Sequence, residues 1–160
     1  MIFRSWLLLL LVTSIPYSVY AAELAPDFTL PGRDQPIQLQ SLRGKVVYVD
    51  FWASWCQPCR ESFPWMNSLQ KRYGDQGLVV IAVNLDKSRE LSDKFLQQVP
   101  ASFSIAYDPD GVVATAYHVK GMPSSYLIDR QGHIQNSHIG FRADSAEALE
   151  ASIKTLVQQH

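Results

Sequence analysis

A chain of 160 residues has room for one ordinary domain once an export segment is set aside, so a multidomain machine is excluded. With 14 Lys and Arg against 15 Asp and Glu, the formal charge is −1, and no basic field exists to hold a phosphate backbone; nucleic acid is not an expected partner. A composition 47% hydrophobic excludes wholesale disorder, and a total of two cysteines is too few for a disulfide scaffold, so two thiols three positions apart point to chemistry.

Residues 1–21 read as a secretory signal peptide. Arg4 supplies the positive start, Trp6–Ile15 is almost unbroken apolar sequence, and Pro16–Ala21 is a turn-forming segment with a cut expected after Ala21. The alternative is an uncleaved membrane anchor, against which stand Pro16 and an apolar run short of the ~20 residues that span a bilayer. The expected compartment is the periplasm or an equivalent exported, oxidising space.

Residues 22–36, with Pro26, Pro31 and Pro36, read as an extended lead-in that packs on the domain formed by residues 37–160. Val46–Ala53 is rich in β-branched and aromatic residues and predicts a central strand buried on both faces. A helix follows from about Cys59 to Tyr73, with Phe63, Met66, Leu69 and Tyr73 at helical spacing and Pro64 expected to kink it. Leu78–Leu85 predicts a second buried strand, so that strand, helix and strand make a right-handed parallel crossover. Ser88–Val99 predicts a helix burying Leu91, Phe95 and Val99, and Ser102–Tyr107 a short strand. After the turn Asp108-Pro109-Asp110-Gly111 come a short helical segment over Val112–Tyr117 and a hairpin of Ser124–Asp129 with His133–Ile139. The last helix is expected to start at an Asp144 N-cap with Glu147 completing a capping box, and to carry Leu149, Ile153 and Leu156 on its apolar stripe. The fold class is α/β, with a mixed central β-sheet flanked by helices.

Cys56-Gln57-Pro58-Cys59 falls where a buried strand ends and a helix begins. A thiolate at Cys56 is favoured there by unpaired backbone N–H groups, and Cys59 lies one turn away, within bridging reach. Cys56 is therefore assigned as the exposed attacking nucleophile and Cys59 as the buried resolving thiol, with Trp55, Gln57 and Pro58 forming the rim that meets substrate. A permanent structural disulfide is the plainer reading, but closing so short a loop removes little unfolded-chain entropy. Zinc is disfavoured because His133 and His138 are distant from Cys59 and fall on opposite faces of a strand; haem attachment needs a histidine where Arg60 stands. No cofactor beyond the cysteine pair and no obligate metal are expected. Asp50 interrupts the apolar strand, and burial there raises its pKa; it is the candidate acid and base that takes the proton of Cys59, the alternative being an ordinary hydrogen-bonded aspartate.

The run Val49-Asp50-Phe51-Trp52-Ala53-Ser54-Trp55-Cys56-Gln57-Pro58-Cys59 resembles the active-site strand and turn of thioredoxin-fold proteins. Ala25–Leu30 and Gly121–Asp129 are similar to the exported TlpA/ResA-like branch in particular. The resemblance implies a thioredoxin-like three-layer sandwich with an αβ insertion over residues 88–107. It also implies a cis Met122–Pro123 bond facing the cysteines, with Met122 and Pro123 holding the substrate disulfide over Cys56. It further implies a monomeric, exported thiol–disulfide oxidoreductase of the reducing kind, recharged by a membrane thiol electron donor and acting on protein thiols and disulfides, apocytochrome c among them. The glutamate that this family carries three residues after the second cysteine is replaced by Ser62, and Glu61 stands one residue early, so no acid role passes to Glu61. Two other activities fit the fold. Peroxiredoxin-like peroxidases place a threonine where Ala53 stands, and copper chaperones space their cysteines one residue wider.

Overall fold

In the computed structural model, which describes residues 23–159, the apolar run after Lys45 becomes the middle strand of a five-stranded sheet. In chain order the elements are β1 (Thr29–Leu30), β2 (Ile37–Gln38), β3 (Val46–Trp52), α1 (Gln57–Tyr73), β4 (Leu78–Asn84), α2 (Arg89–Gln98), β5 (Ser104–Tyr107), α3 (Val112–Ala116), β6 (Ser124–Ile128), β7 (Ile134–Ile139) and α4 (Ala143–Gln158). The sheet order is β5-β4-β3-β6-β7, with β3, β4 and β5 parallel and β6 and β7 antiparallel to their neighbours. The signal-peptide reading of residues 1–21 lies outside the described residues.

Strand alternation divides the core in two. Tyr48 and Trp52 of β3, Val80 and Ala82 of β4 and Leu127 of β6 face α1, α2 and α4, meeting Phe63, Met66, Phe95 and Ile153. Val47, Val49 and Phe51, with Ile81 and Val83, face the opposite way, onto α3 and onto Phe28, Leu30 and Leu39. The result is the expected three-layer sandwich. On the first face Phe63 is the hub of an aromatic cluster, its ring 4.9 Å from Trp52, 5.0 Å from Phe95 and 5.2 Å from Phe103. Each such ring removed from water contributes about 2–3 kcal/mol.

The lead-in is woven into the sheet. Ile134 donates its N–H to Glu23 and Ala25 donates to Gly132, at the start of β7. The chain then crosses beneath the sheet with Phe28 and Leu30 buried, pairs β1 with β2, and reaches the opposite border, where Tyr107 donates to Pro31 and Arg33 to Ile105.

Two helices depart from expectation. In α2, Leu91 is 46% exposed, while Ser92 and Phe95 are buried and Leu96 and Val99 half-buried. At about 100° per residue, positions 92, 95, 96 and 99 form one arc and position 91 falls off its edge. Ser92 is tolerated inside because its hydroxyl donates to the Arg89 carbonyl at 2.8 Å. In α4, Arg142 occupies the N-cap with no side-chain cap, and Asp144 is already in the first turn. The Arg142 guanidinium grips the Asp144 carboxylate at 2.8 and 3.2 Å and, together with backbone N–H groups, holds its carboxyl below the usual range; with Asp144 already inside the first turn, the capping box with Glu147 does not form. The apolar stripe itself is in place, with Ile153 buried and Leu149 and Leu156 half-buried.

Candidate active site

Cys56 and Cys59 are joined as a disulfide across the amino end of α1. The strand β3 delivers the chain to this point in extended conformation, and Pro58, which has no N–H to leave unpaired, enters the first turn. Cys56 is the N-cap: its Sγ accepts the Cys59 N–H at 3.3 Å. No acidic residue stands in the first turn of α1 to oppose a negative sulfur. Cys56 is more covered than expected, at 5% exposed against 0% for Cys59, because capping turns its sulfur inward over the helix end.

Asp50 lies on the β3 face that α1 covers, between Tyr48 and Trp52, and is 1% exposed. The register of β3 with β6 sets Ser125 directly opposite, and the Ser125 hydroxyl donates to Asp50 Oδ1 at 2.7 Å. Asp50 Oδ2 has no hydrogen-bond partner. Burial pushes the carboxyl up to about 7, while the Ser125 hydrogen bond pulls it down. The Tyr48 hydroxyl is raised well above its ordinary value by burial and by the neighbouring Asp50 charge.

The Met122–Pro123 peptide bond is cis. Pro123 is buried and its carbonyl accepts from Gly140 at 2.7 Å, while Ser124 Oγ donates to the Gly121 carbonyl at 2.6 Å. Half-buried Met122 packs against the core cluster that contains both cysteines. Trp55, 73% exposed, shares a shallow cavity with Met122, Leu85, Val119 and Lys120. Gln57 and Pro58 are exposed on the first turn of α1 and do not line that cavity. Trp52, by contrast, is wholly buried, and Trp65 is half-buried, edge-on to Tyr48.

Sequence reasoning missed three polar residues around these groups. Ser54 donates through both its backbone N–H and its hydroxyl to the Asp86 carboxylate, at 2.9 Å each, and Asn84 donates to the same carboxylate at 2.8 Å. The signal was present in Asn84-Leu85-Asp86, polar residues at the end of an apolar strand, where active-site loops gather. Ser62, where the family glutamate would stand, is buried and donates to the Cys59 carbonyl at 3.0 Å; Glu61 is exposed. His133 lies 3.7 Å from Asp129 and His138 3.4 Å from Ser145, and no group of three or more metal-ligating side chains occurs among the described residues.

The sequence profile of the AhpC/TSA family matches residues 21–137. The chain belongs to that family. Within it the chain is 32% identical to the thiol-disulfide oxidoreductase ResA of Oceanobacillus iheyensis, over 99% of this chain and 90% of the relative, and 30% identical to ResA of Bacillus subtilis, over 89% and 86%. Among solved structures, one provisionally assigned as the thiol:disulfide interchange protein DsbE of Chlorobium tepidum superposes with a TM-score of 0.83 at 51% identity, covering 85% of this chain and 96% of that one. The exposed lipoprotein thioredoxin Etrx1 of Streptococcus pneumoniae gives 0.72 at 30% identity, covering 82% and 100%. The architecture is that of the thioredoxin-like fold, as the motifs implied.

Proposed function

We propose that the protein is an exported thiol–disulfide oxidoreductase that reduces protein disulfides through Cys56 and Cys59, with no other cofactor. The observation that carries this reading is the Cys56–Cys59 pair bridging the amino end of a buried-strand-to-helix turn. ResA and DsbE relatives, named for the same exchange chemistry, support it. In the forward step the Cys56 thiolate attacks one sulfur of the substrate disulfide, and the other leaves as a thiolate that takes a proton from water. Cys59 then gives its proton to Asp50 and attacks Cys56 Sγ. The bond between Cys56 and the substrate breaks, the second substrate sulfur leaves as a thiolate, and the cysteine pair has given up two electrons. Trp55, Gln57, Pro58, Met122 and Pro123 form the surface that receives the substrate. A membrane thiol donor restores the dithiol, and apocytochrome c is one candidate substrate.

The test is a Cys59→Ala variant of the full chain, expressed with its leader. It is expected to hold substrate and donor covalently on Cys56 in the exported fraction, with the amino terminus cut after Ala21, while the unaltered protein reduces insulin. No trapped partner together with no insulin reduction would overturn the reading. Peroxide consumption at catalytic protein levels would favour the peroxidase alternative, and Cu(I) retained in equilibrium dialysis only by the reduced pair would favour metal carriage.

A further inference from the structure

The proposed mechanism leaves Ser125 unused, although it is the only side chain that hydrogen-bonds Asp50 among the described residues. Ser125 is 4% exposed, sits in the middle strand pair and directs its hydroxyl at a carboxylate rather than at the backbone of its own turn. A hydroxyl placed there does two things. It stabilises the ionised carboxylate against the cost of burial, and it engages Oδ1, leaving Oδ2 as the oxygen without a partner to take the proton. Resting on the reading of Asp50 as the base for Cys59, we infer that Ser125 is a positioning residue that orients the Asp50 carboxyl, favours its ionised form and leaves Oδ2 as the oxygen that exchanges the proton.

The surroundings leave Ser125 as the one side-chain hydrogen-bond donor to Asp50 among the described residues. On the shared sheet face the other titratable groups are Tyr48 on β3, Cys56 and Cys59 on α1, Tyr107 on β5, and half-buried His138 on β7, which the register sets opposite Ser125 and whose ring meets Ser145 at 3.4 Å rather than Asp50. Tyr73, at the carboxyl end of α1, is tied to Glu150 of α4, which also receives Arg72. The facing β4 residue is Ala82, the charged residues of α2 are exposed, and so are Glu147 and Lys154 of α4. No cation reaches Asp50: every salt bridge among the described residues lies elsewhere. The hydroxyl therefore gives the ionised carboxylate its one side-chain hydrogen bond, with no cation beside it to offset the charge.

Ser125→Thr and Ser125→Val provide the test, because both suit a buried strand and have the same shape, and only Thr keeps the hydroxyl. The reduced full chain is mixed with the aromatic disulfide of thionitrobenzoate, and the release of its two thiols is followed by absorbance from pH 5 to 9. The first thiol reports attack by Cys56 and the second reports resolution by Cys59. The Val variant is expected to move the midpoint of the second phase upward by about one pH unit relative to Thr, and to slow it about five- to tenfold at pH 7, with the first phase unmoved. Asp50→Asn, alone or combined with Ser125→Val, is expected to abolish the neutral-pH midpoint. Coincident Thr and Val profiles, with Asp50→Asn still altering resolution, would overturn the role of Ser125 and spare that of Asp50. An Asp50→Asn profile matching the unaltered protein would overturn the role of Asp50 itself. A carboxyl-carbon NMR titration of Asp50 in the Thr and Val variants reads the same shift without turnover.

Discussion

Ser54 is fastened to Asp86 by two hydrogen bonds of 2.9 Å, one from its amide and one from its hydroxyl, across a separation of 32 residues. This ties the turn two residues before Cys56 to the end of β4, where Leu85 also donates its N–H to the Trp52 carbonyl at 2.9 Å. Asp86→Ala strands the Ser54 amide and the buried Asn84 side chain without acceptors, at a cost of about 2–4 kcal/mol. Urea unfolding measures it, and a loss below about 0.5 kcal/mol would show that the turn holds itself.

Asp50 gives stability a distinctive dependence on pH. Its folded pKa of about 7 stands above the ordinary 3.8, so the neutral acid is the form the fold accepts. Its contribution is whole below about pH 4, is withdrawn as pH climbs from there to about 7, and stays lost above that. Asp50→Asn should therefore raise stability at pH 8 by up to about 4 kcal/mol while gaining little at pH 4. Denaturant midpoints at the two pH values check this, and an equal effect at both would refute it.

Trp55 presents a large apolar surface to solvent beside Cys56, and it supports little of the fold. Trp55→Ala is expected to change stability by less than about 0.5 kcal/mol. It should raise KM for a peptide disulfide several-fold and leave the rate with a small aromatic disulfide nearly unchanged, as steady-state assays on both substrates would reveal.

The packing of α1 against α2 is tested by a pair of truncations, one on each helix. Phe63→Ala removes the hub of the Trp52, Phe95 and Phe103 cluster, costing about 3–5 kcal/mol and lowering the thermal midpoint by about 10 °C or more. Leu91→Ala, outside the buried arc, should cost under about 1 kcal/mol. Calorimetry measures both, and it is a loss above about 2 kcal/mol at Leu91 that would contradict the observed face of α2.

Much of this was legible because the decisive patterns are local. Seven consecutive buried residues in β3 announce a strand covered on both faces, and the cysteines follow it at one helical turn. The raised Asp50 acid was foreseeable from a single carboxylate in an apolar run. Its partner was not, since Ser125 is 75 residues away and is brought opposite only by the β3 and β6 register. The Ser54–Asp86 tie is hidden for the same reason. At α4, Asp144 looked like a cap because the linear pattern does not show that the helix begins one residue before it, at Ala143, with Arg142 in the capping position.

The segment threaded beneath the sheet gives hydrogen-bond partners to both outer strands, to β7 through Glu23 and to β5 through Pro31 and Arg33. A protease that removed it would bare two adhesive borders at a stroke, along with the greasy underside that Phe28 and Leu30 now plug. The clipped molecule would then be expected to pair strand against strand with its own copies, above all along the outer side of β5, which the ribbon covers most fully.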